Sequence, residues 1–279
     1  MPYLLQIGGI MALKKQLNMV NLDKKTHEMI RSQRIIDDVL FRLMASRRDV
    51  CQEILRTLLD DDNLEVIEVT PQNELISIFR GVVLDALCKL SDGQYCNIEM
   101  QKDDRKNDIK RVRFHASLIT TNKTPKGTEL SNIPNVKVLY ITTYDVLGNG
   151  QTLTHITRCQ RVDKKYLPLN DGEDIILANT EIKDETKHTR LLQLFLKSDS
   201  FYDEMFPAIS EAFRFYKDTE RGQESMSEIS KILRQQGYEL GLADGIEKEK
   251  KKTAKEKKRA DKLEKEVEEL KKKLESIQS

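Results

Sequence analysis

The chain has 279 residues, of which 33% are charged and 38% apolar, with a formal net charge of +1. That length supports one sizeable domain and an appendage. The near balance of charge excludes a strong global field for nucleic acid, so any such binding must come from local patches. No apolar run approaches the length of a membrane span.

The N-terminus, Met1-Pro2-Tyr3-Leu4-Leu5-Gln6-Ile7-Gly8-Gly9-Ile10, lacks a basic stretch and makes a poor signal peptide, and Met11 offers a second start. The four cysteines, Cys51, Cys88, Cys96 and Cys159, show no CxxC spacing, and there are only four histidines. This argues against a zinc site and fits a reduced, cytoplasmic setting.

Residues 1–23 read as an N-terminal extension. Residues 24–59 read as helix, with Ile30, Ile35, Ile36, Val39, Leu40, Leu43 and Met44 as a broad apolar stripe. Ser46-Arg47-Arg48-Asp49 interrupts it, and Val50, Ile54, Leu55 and Leu58 resume a second helix. Residues 64–69 form a strand pattern ended by Pro71. Two longer strand patterns follow, Val82–Leu90 and Tyr95–Lys102, joined by Ser91-Asp92-Gly93-Gln94.

The loop sets the register of that hairpin. A two-residue Asp-Gly turn would pair Asp85 with Met100 and place Asp85 and Glu99 on opposite faces. A three-residue loop, with Gly93 in the left-handed position as a G1 bulge, pairs Leu90 with Gln94 and sets Asp85 opposite Glu99. The apolar pattern selects the second register. It collects Leu84, Ala86, Cys88, Cys96, Ile98 and Met100 on one face. Asp85, Lys89, Asn97, Glu99 and Gln101 share the other, with Leu87 and Tyr95 as exceptions. A slip of one residue would mix the two sets. Cys88 and Cys96 then face each other as small buried hydrophobes.

Asp108–Thr121 reads as helix, with Ile109, Val112, Ala116 and Ile119 on one face and Lys110, Arg111 and Arg113 near its start. Val136–Thr143 reads as a buried strand. Leu153–Val162 and Asp174–Ala178 are further strands, with Asp171-Gly172 as a turn. From Asp184 to Leu240 the helical pattern returns. The order predicts a mixed α/β core over 24–183 and a helical region over 184–240. Residues 241–279 follow as a charged helix. Gly237, Gly241 and Gly245, four residues apart, weaken the helix where it begins. Leu263, Val267, Leu270, Leu274 and Ile277 then form the a/d seam of a short coiled coil, or else the face of a solvated single helix. The tail, residues 246–279, holds 13 Lys/Arg and 9 Asp/Glu.

Two carboxylates side by side, with a polar neighbour, suit a divalent cation, because Mg²⁺ takes oxygen ligands and keeps several waters. The repulsion between two such acids is relieved by the cation. Such an ion lowers the pKa of water and neutralises a phosphodiester under attack. Gln101 can orient water or a phosphate but carries no charge. Read from spacing alone, the same residues also fit the wet face of an amphipathic hairpin.

Gly81-Val82-Val83-Leu84-Asp85-Ala86-Leu87 followed by Tyr95-Cys96-Asn97-Ile98-Glu99-Met100-Gln101 resembles the core motif of the PD-(D/E)XK nuclease family transposases, the recombination-promoting nuclease group. Asp38-Val39-Leu40-Phe41 is similar to that family's first-helix motif. Lys110 to Ile119 resembles the helix after its ExQ strand. Val138-Leu139-Tyr140-Ile141 and Asp145 to Gly150 resemble the next strand and its turn, and Asp171-Gly172 and Asn179 also fit. The resemblance covers roughly residues 33–245.

It implies a restriction-endonuclease-like fold, a mixed central sheet flanked by helices, cutting DNA with Mg²⁺. Asp85 and Glu99 would be the catalytic and metal-binding acids, and the Met100 carbonyl a further ligand. Gln101 stands where the motif name puts Lys, and Leu84 where it puts Pro. Asp38 would add an acid. Arg111 and Arg113 would contact DNA phosphates, or else pair with acidic neighbours. His115 reads as a packed histidine rather than a general base. The function expected is a metal-dependent DNA endonuclease linked to recombination or mobile elements, able to form homo-oligomers through residues 246–279. The alternative is an inactive nuclease-fold module that binds DNA or protein.

Overall fold

The computed structural model describes residues 24–75, 82–103 and 106–278. The extension 1–23, including the alternative start Met11, lies outside the described residues, as does Gly81 of the hairpin motif. The chain divides into two compact units, residues 1–227 and 228–279.

The first unit begins with three helices, α1 (Lys24–Ser32), α2 (Asp38–Met44) and α3 (Arg48–Leu58). The expected break before α3 is present. A second break, at 33–37, was not expected. There the Asp37 carboxylate accepts the Arg34 backbone N–H at 2.7 Å, and this local turn competes with helix continuation. Helix α4 (Asp108–Lys123) follows the hairpin, and the helical pattern read over 184–240 takes the form of α5 (Lys187–Leu194), α6 (Pro207–Asp218) and the beginning of a last helix.

The sheet has six strands in the order β1 (Val66–Leu75), β2 (Val82–Leu90), β3 (Tyr95–Gln101), β4 (Val136–Thr142), β8 (Glu173–Asn179) and β5 (Leu153–Thr157). β1, β2 and β3 are antiparallel neighbours, while β3, β4 and β8 run parallel. β1 does not stop at Pro71, which pairs with Ala86 inside the strand. Being at the sheet edge, β1 tolerates a residue without an N–H. The pattern 153–162 is two strands, β5 and β6 (Cys159–Val162), and β6 pairs with β7 (Lys165–Pro168) as a separate ribbon. All eight ribbon residues are exposed, so no period-2 burial marked β7 in the sequence.

Apolar residues cover both sheet faces. Ala86, Cys88, Cys96, Ile98, Met100, Leu139, Ile141 and Ile176 pack against α1–α3, α5 and α6. On the other face Leu87, Val138, Tyr140, Ile175 and Leu177 pack against Val112, Ala116 and Ile119 of α4. Leu87 and Tyr95, the exceptions of the sequence pattern, are explained by that helix. Leu84, expected beside Ala86, joins this second cluster, since β2 and β3 part beyond Ala86. Ile109, expected on the buried face of α4, is 36% exposed.

The second unit is the greater part of α7 (Glu220–Gln278), whose 59 residues run through Gly237, Gly241 and Gly245 without a break. Each glycine costs roughly 1 kcal/mol in a helix, too little to end one flanked by strong helix formers. Gly222, near the start of α7, has another role. A Cβ there would overlap the backbone of Phe215 and Tyr216, so only glycine allows α7 to follow α6 so closely. Gly222→Ala should lower stability by about 1–3 kcal/mol, the usual cost of overpacking. Urea denaturation of the full chain measures this, and an unchanged midpoint would show that the turn relaxes without cost.

The candidate active site

The site is built at the hairpin, where a side chain takes over from the backbone ladder. Gly93 has φ +86° and its N–H donates to Leu90, while Leu90 N–H donates to Gln94 at 2.9 Å. This is the three-residue loop read from the sequence. It sets Cys88 opposite Cys96 and Ala86 opposite Ile98. The next pair in this register is Asp85 and Glu99.

Regular pairing ends at Ala86. The Met100 N–H donates instead to Asp85 Oδ2 at 2.9 Å. In return the Asp85 N–H lies 3.4 Å from Glu99 Oε1. Each acid is therefore tied to the backbone of the other strand. The N–H and C=O of a strand residue point to the same edge, so the Met100 carbonyl also faces the gap between β2 and β3.

The expected wet face is not wet. Glu99 is 6% exposed and Asn97 fully buried, because α4 lies across them. Tyr140 Oη donates to Asp108 Oδ1 at 2.8 Å and fixes the start of α4 over the sheet. Burial and this bond push the Tyr140 hydroxyl pKa well up. Asn97 Nδ2 donates to Glu99 Oε1 at 2.7 Å, and His115 Nδ1 stands 3.4 Å from the same oxygen without hydrogen-bond geometry. His115 is packed, as the sequence reading had it.

Burial raises the Asp85 carboxyl well above the usual range, the Glu99 charge raises it further, and Asp38 adds to this. The Met100 N–H and Arg111 act in the opposite direction. Asp38, exposed at the first position of α2, thus lies within electrostatic reach of Asp85. Gln101 is 7% exposed. Its Nε2 donates to the Asp103 carbonyl at 2.8 Å, and its Oε1 accepts from Arg111 Nη1 at 2.8 Å. Arg113, two residues on, is exposed.

Two features escaped the sequence reading. Asn97 was placed on the polar face but given no role; its signal was its i, i+2 spacing from Glu99. Asp37 was passed over. It is buried and bonded to Lys102 Nζ at 2.9 Å and to Arg34. Burial raises its pKa, but the Lys102 and Arg34 bonds outweigh that and lower it overall. Nothing local in the sequence links residues 37 and 102.

A mixed six-stranded sheet between helical layers, with an acid pair where two strands part, defines a restriction-endonuclease-like fold of the PD-(D/E)XK kind. The sequence profile of the PD-(D/E)XK nuclease family transposases matches residues 36–276, and the chain belongs to that family. No curated protein and no solved structure was found to match it. The family supports a nuclease function connected with mobile elements, and PD-(D/E)XK nucleases generally use divalent metal ions. Among the described residues no group of three or more His, Cys, Asp or Glu side chains forms a ready metal cage. The donors present are two carboxylates and a main-chain carbonyl. They fit a hard cation that keeps part of its water shell.

The acid pair has a consequence for stability. A carboxyl with a raised folded pKa binds its proton more tightly when folded, so its stability contribution falls as pH rises from the unfolded pKa through the folded one. In chelator, Asp85→Asn should therefore raise Tm at pH 7, by about 2–4 °C for each kcal/mol relieved. The gain should vanish below about pH 4, where the wild-type group is protonated in both states. Calorimetry at the two pH values checks this, and an equal gain at both would assign it to packing.

Proposed function

We propose that the chain is a Mg²⁺-dependent DNA endonuclease acting in recombination or mobile-element chemistry, in the cytoplasm. The observation that carries this reading is the convergence of Asp85 and Glu99 in the gap between β2 and β3, each held by the other strand. Family membership supports it. No helix among the described residues is long and apolar enough to cross a membrane.

The assigned roles follow from chemistry. Asp85, Glu99 and the Met100 carbonyl would hold the cation, with Asp38 adding charge from α2. When bound, the cation supplies neutralisation of phosphate charge and acidifies nearby water. Asn97 keeps Glu99 Oε1 occupied, which leaves Oε2 for a ligand. Burial first, and then the Glu99 charge, raise the proton affinity of Asp85, and a cation at this site would act against both. Gln101 positions polar groups beside the phosphodiester. Arg111 and Arg113 would contact DNA phosphates, which hold a duplex in place without reading its sequence.

Asp85→Ala and Glu99→Ala should each reduce Mg²⁺-dependent nicking of supercoiled plasmid by at least ~10²-fold, and each also lowers stability, because it leaves the Met100 N–H or the Asn97 amide without its acceptor. Activity persisting in the purified double mutant would reject this pair as catalytic.

The unit boundaries assigned in sequence, a core over 24–183, a helical region over 184–240 and a tail over 241–279, are part of the same proposal. The tail would join copies of the chain. Leu263 and Val267 of its seam are 53% and 49% exposed in the single chain, as side chains awaiting a partner helix would be. Deleting residues 246–279 should lower the mass measured by light scattering while cleavage of short duplexes stays within about twofold. Unchanged mass together with unchanged DNA affinity at low salt would remove both the oligomerising and the backbone-binding role of the tail.

A further inference from the structure

The site lacks the cation its motif name calls for. Residue 101 is Gln, which carries no positive charge to set against a phosphate under attack and whose Nε2 is bonded to the Asp103 carbonyl. Lys102 does not replace it. Alternation along β3 turns Lys102 to the other face, where its Nζ is bound to Asp37 at 2.9 Å. His115 is buried against Glu99, on the ligand itself.

Arg111 meets the requirement. It projects from the second turn of α4 toward the end of β3, and its Nη1 donates to Gln101 Oε1 at 2.8 Å. Gln101 is held in turn by its own bond to the Asp103 carbonyl at 2.8 Å. The amide is thus fixed at both ends, with its oxygen facing the guanidinium. That oxygen is the reason for Gln. A lysine at 101 has no acceptor and would set a second positive charge against Arg111. Arg111 is partly exposed, and one of its five N–H donors serves Gln101, which leaves others for a ligand. A guanidinium is charged at every working pH and matches a phosphate in bidentate geometry.

We propose that Gln101 and Arg111 together replace the motif lysine: Gln101 aims Arg111, and Arg111 binds the non-bridging oxygens of the scissile phosphate as negative charge grows there. In this hydrolysis a water oxygen forms the new P–O bond and loses its proton to solvent. The P–O bond to the leaving alkoxide breaks, and the alkoxide takes up a proton. No electron transfer is involved. Arg111 is the catalytic residue and Gln101 a positioning residue. The proposal rests on the nuclease reading and moves Arg111 from holding DNA to stabilising the reaction.

The test uses the full chain, supercoiled plasmid and Mg²⁺, with wild type, Arg111→Ala, Arg111→Lys, Gln101→Lys and the double variant Gln101→Lys/Arg111→Ala. Arg111→Ala should lower kcat by about 10²-fold, the range found when one transition-state donor is removed. Plasmid affinity in Ca²⁺ and Mn²⁺ affinity by calorimetry should change less than about fivefold. Arg111→Lys should fall between the two, since it keeps charge and loses the fork. The double variant should recover at least about tenfold over Arg111→Ala, because a positive charge is restored at the side chain that Arg111 touches. Gln101→Lys alone should be less active than the double variant, as its two cations repel. A kcat unchanged in Arg111→Ala, or a loss confined to KM, would return Arg111 to a DNA-holding role. A double variant no better than Arg111→Ala would also overturn the proposal. A wild-type chain that does not cut under these conditions rejects the nuclease reading and this proposal with it, whereas cutting by wild type and Arg111→Ala alike rejects this proposal alone.

Discussion

The bond from the Met100 N–H to the Asp85 carboxylate is the constraint on which the site depends. Up to Ala86 and Ile98, β2 and β3 exchange ordinary ladder bonds. Beyond that point an acid side chain substitutes for a backbone carbonyl. The substitution satisfies a buried N–H, which would otherwise cost a few kcal/mol. It also opens the space in which two carboxylates and a carbonyl converge. The cost is electrostatic, since burial and the Glu99 charge both oppose ionisation of Asp85. Asp38 adds to that cost. The Met100 N–H and Arg111 act against it.

The two helical layers serve different ends. α1–α3, α5 and α6 cover one face with apolar packing, and Phe41, Met44, Ile54, Leu55 and Phe213 are fully or nearly fully buried. α4 covers the other face and mixes apolar with polar contacts. Val112, Ala116 and Ile119 bind it to the sheet, while Asp108, Arg111 and His115 reach the same face at the level of the acids. Helical spacing sets these three residues along one side of α4, so one docking event delivers all of them. Asp37 and Lys102 act from the opposite layer, tying the end of β3 to α2.

The hairpin was legible because the information is local. Loop length, a glycine able to take positive φ, and the alternation of apolar and polar residues all lie within 20 residues and agree on one register. The parallel strands β4 and β8 were equally plain, being short apolar runs between turn residues. The readings that failed relied on a local signal that tertiary context overrode. Pro71 ends a central strand but not an edge strand. The β6–β7 ribbon buries nothing, so it left no hydrophobic pattern to find.

The sequence by itself determined the register of β2 on β3, and through it that Asp85 and Glu99 would meet on one face. It also determined the family, through a collinear set of short motifs. It did not determine what covers that face. A strand reading polar at 97, 99 and 101 looks solvent-exposed unless a helix from elsewhere in the chain lies over it, and nothing in the strand announces that helix. The tertiary structure decided that these residues are buried. It decided too that Gln101 holds Arg111 and that Lys102 is committed to Asp37. The physical reason is that hydrogen bonds between residues ten or more positions apart depend on how whole elements pack, and the period of a sequence pattern records only which side a residue faces, not what stands opposite.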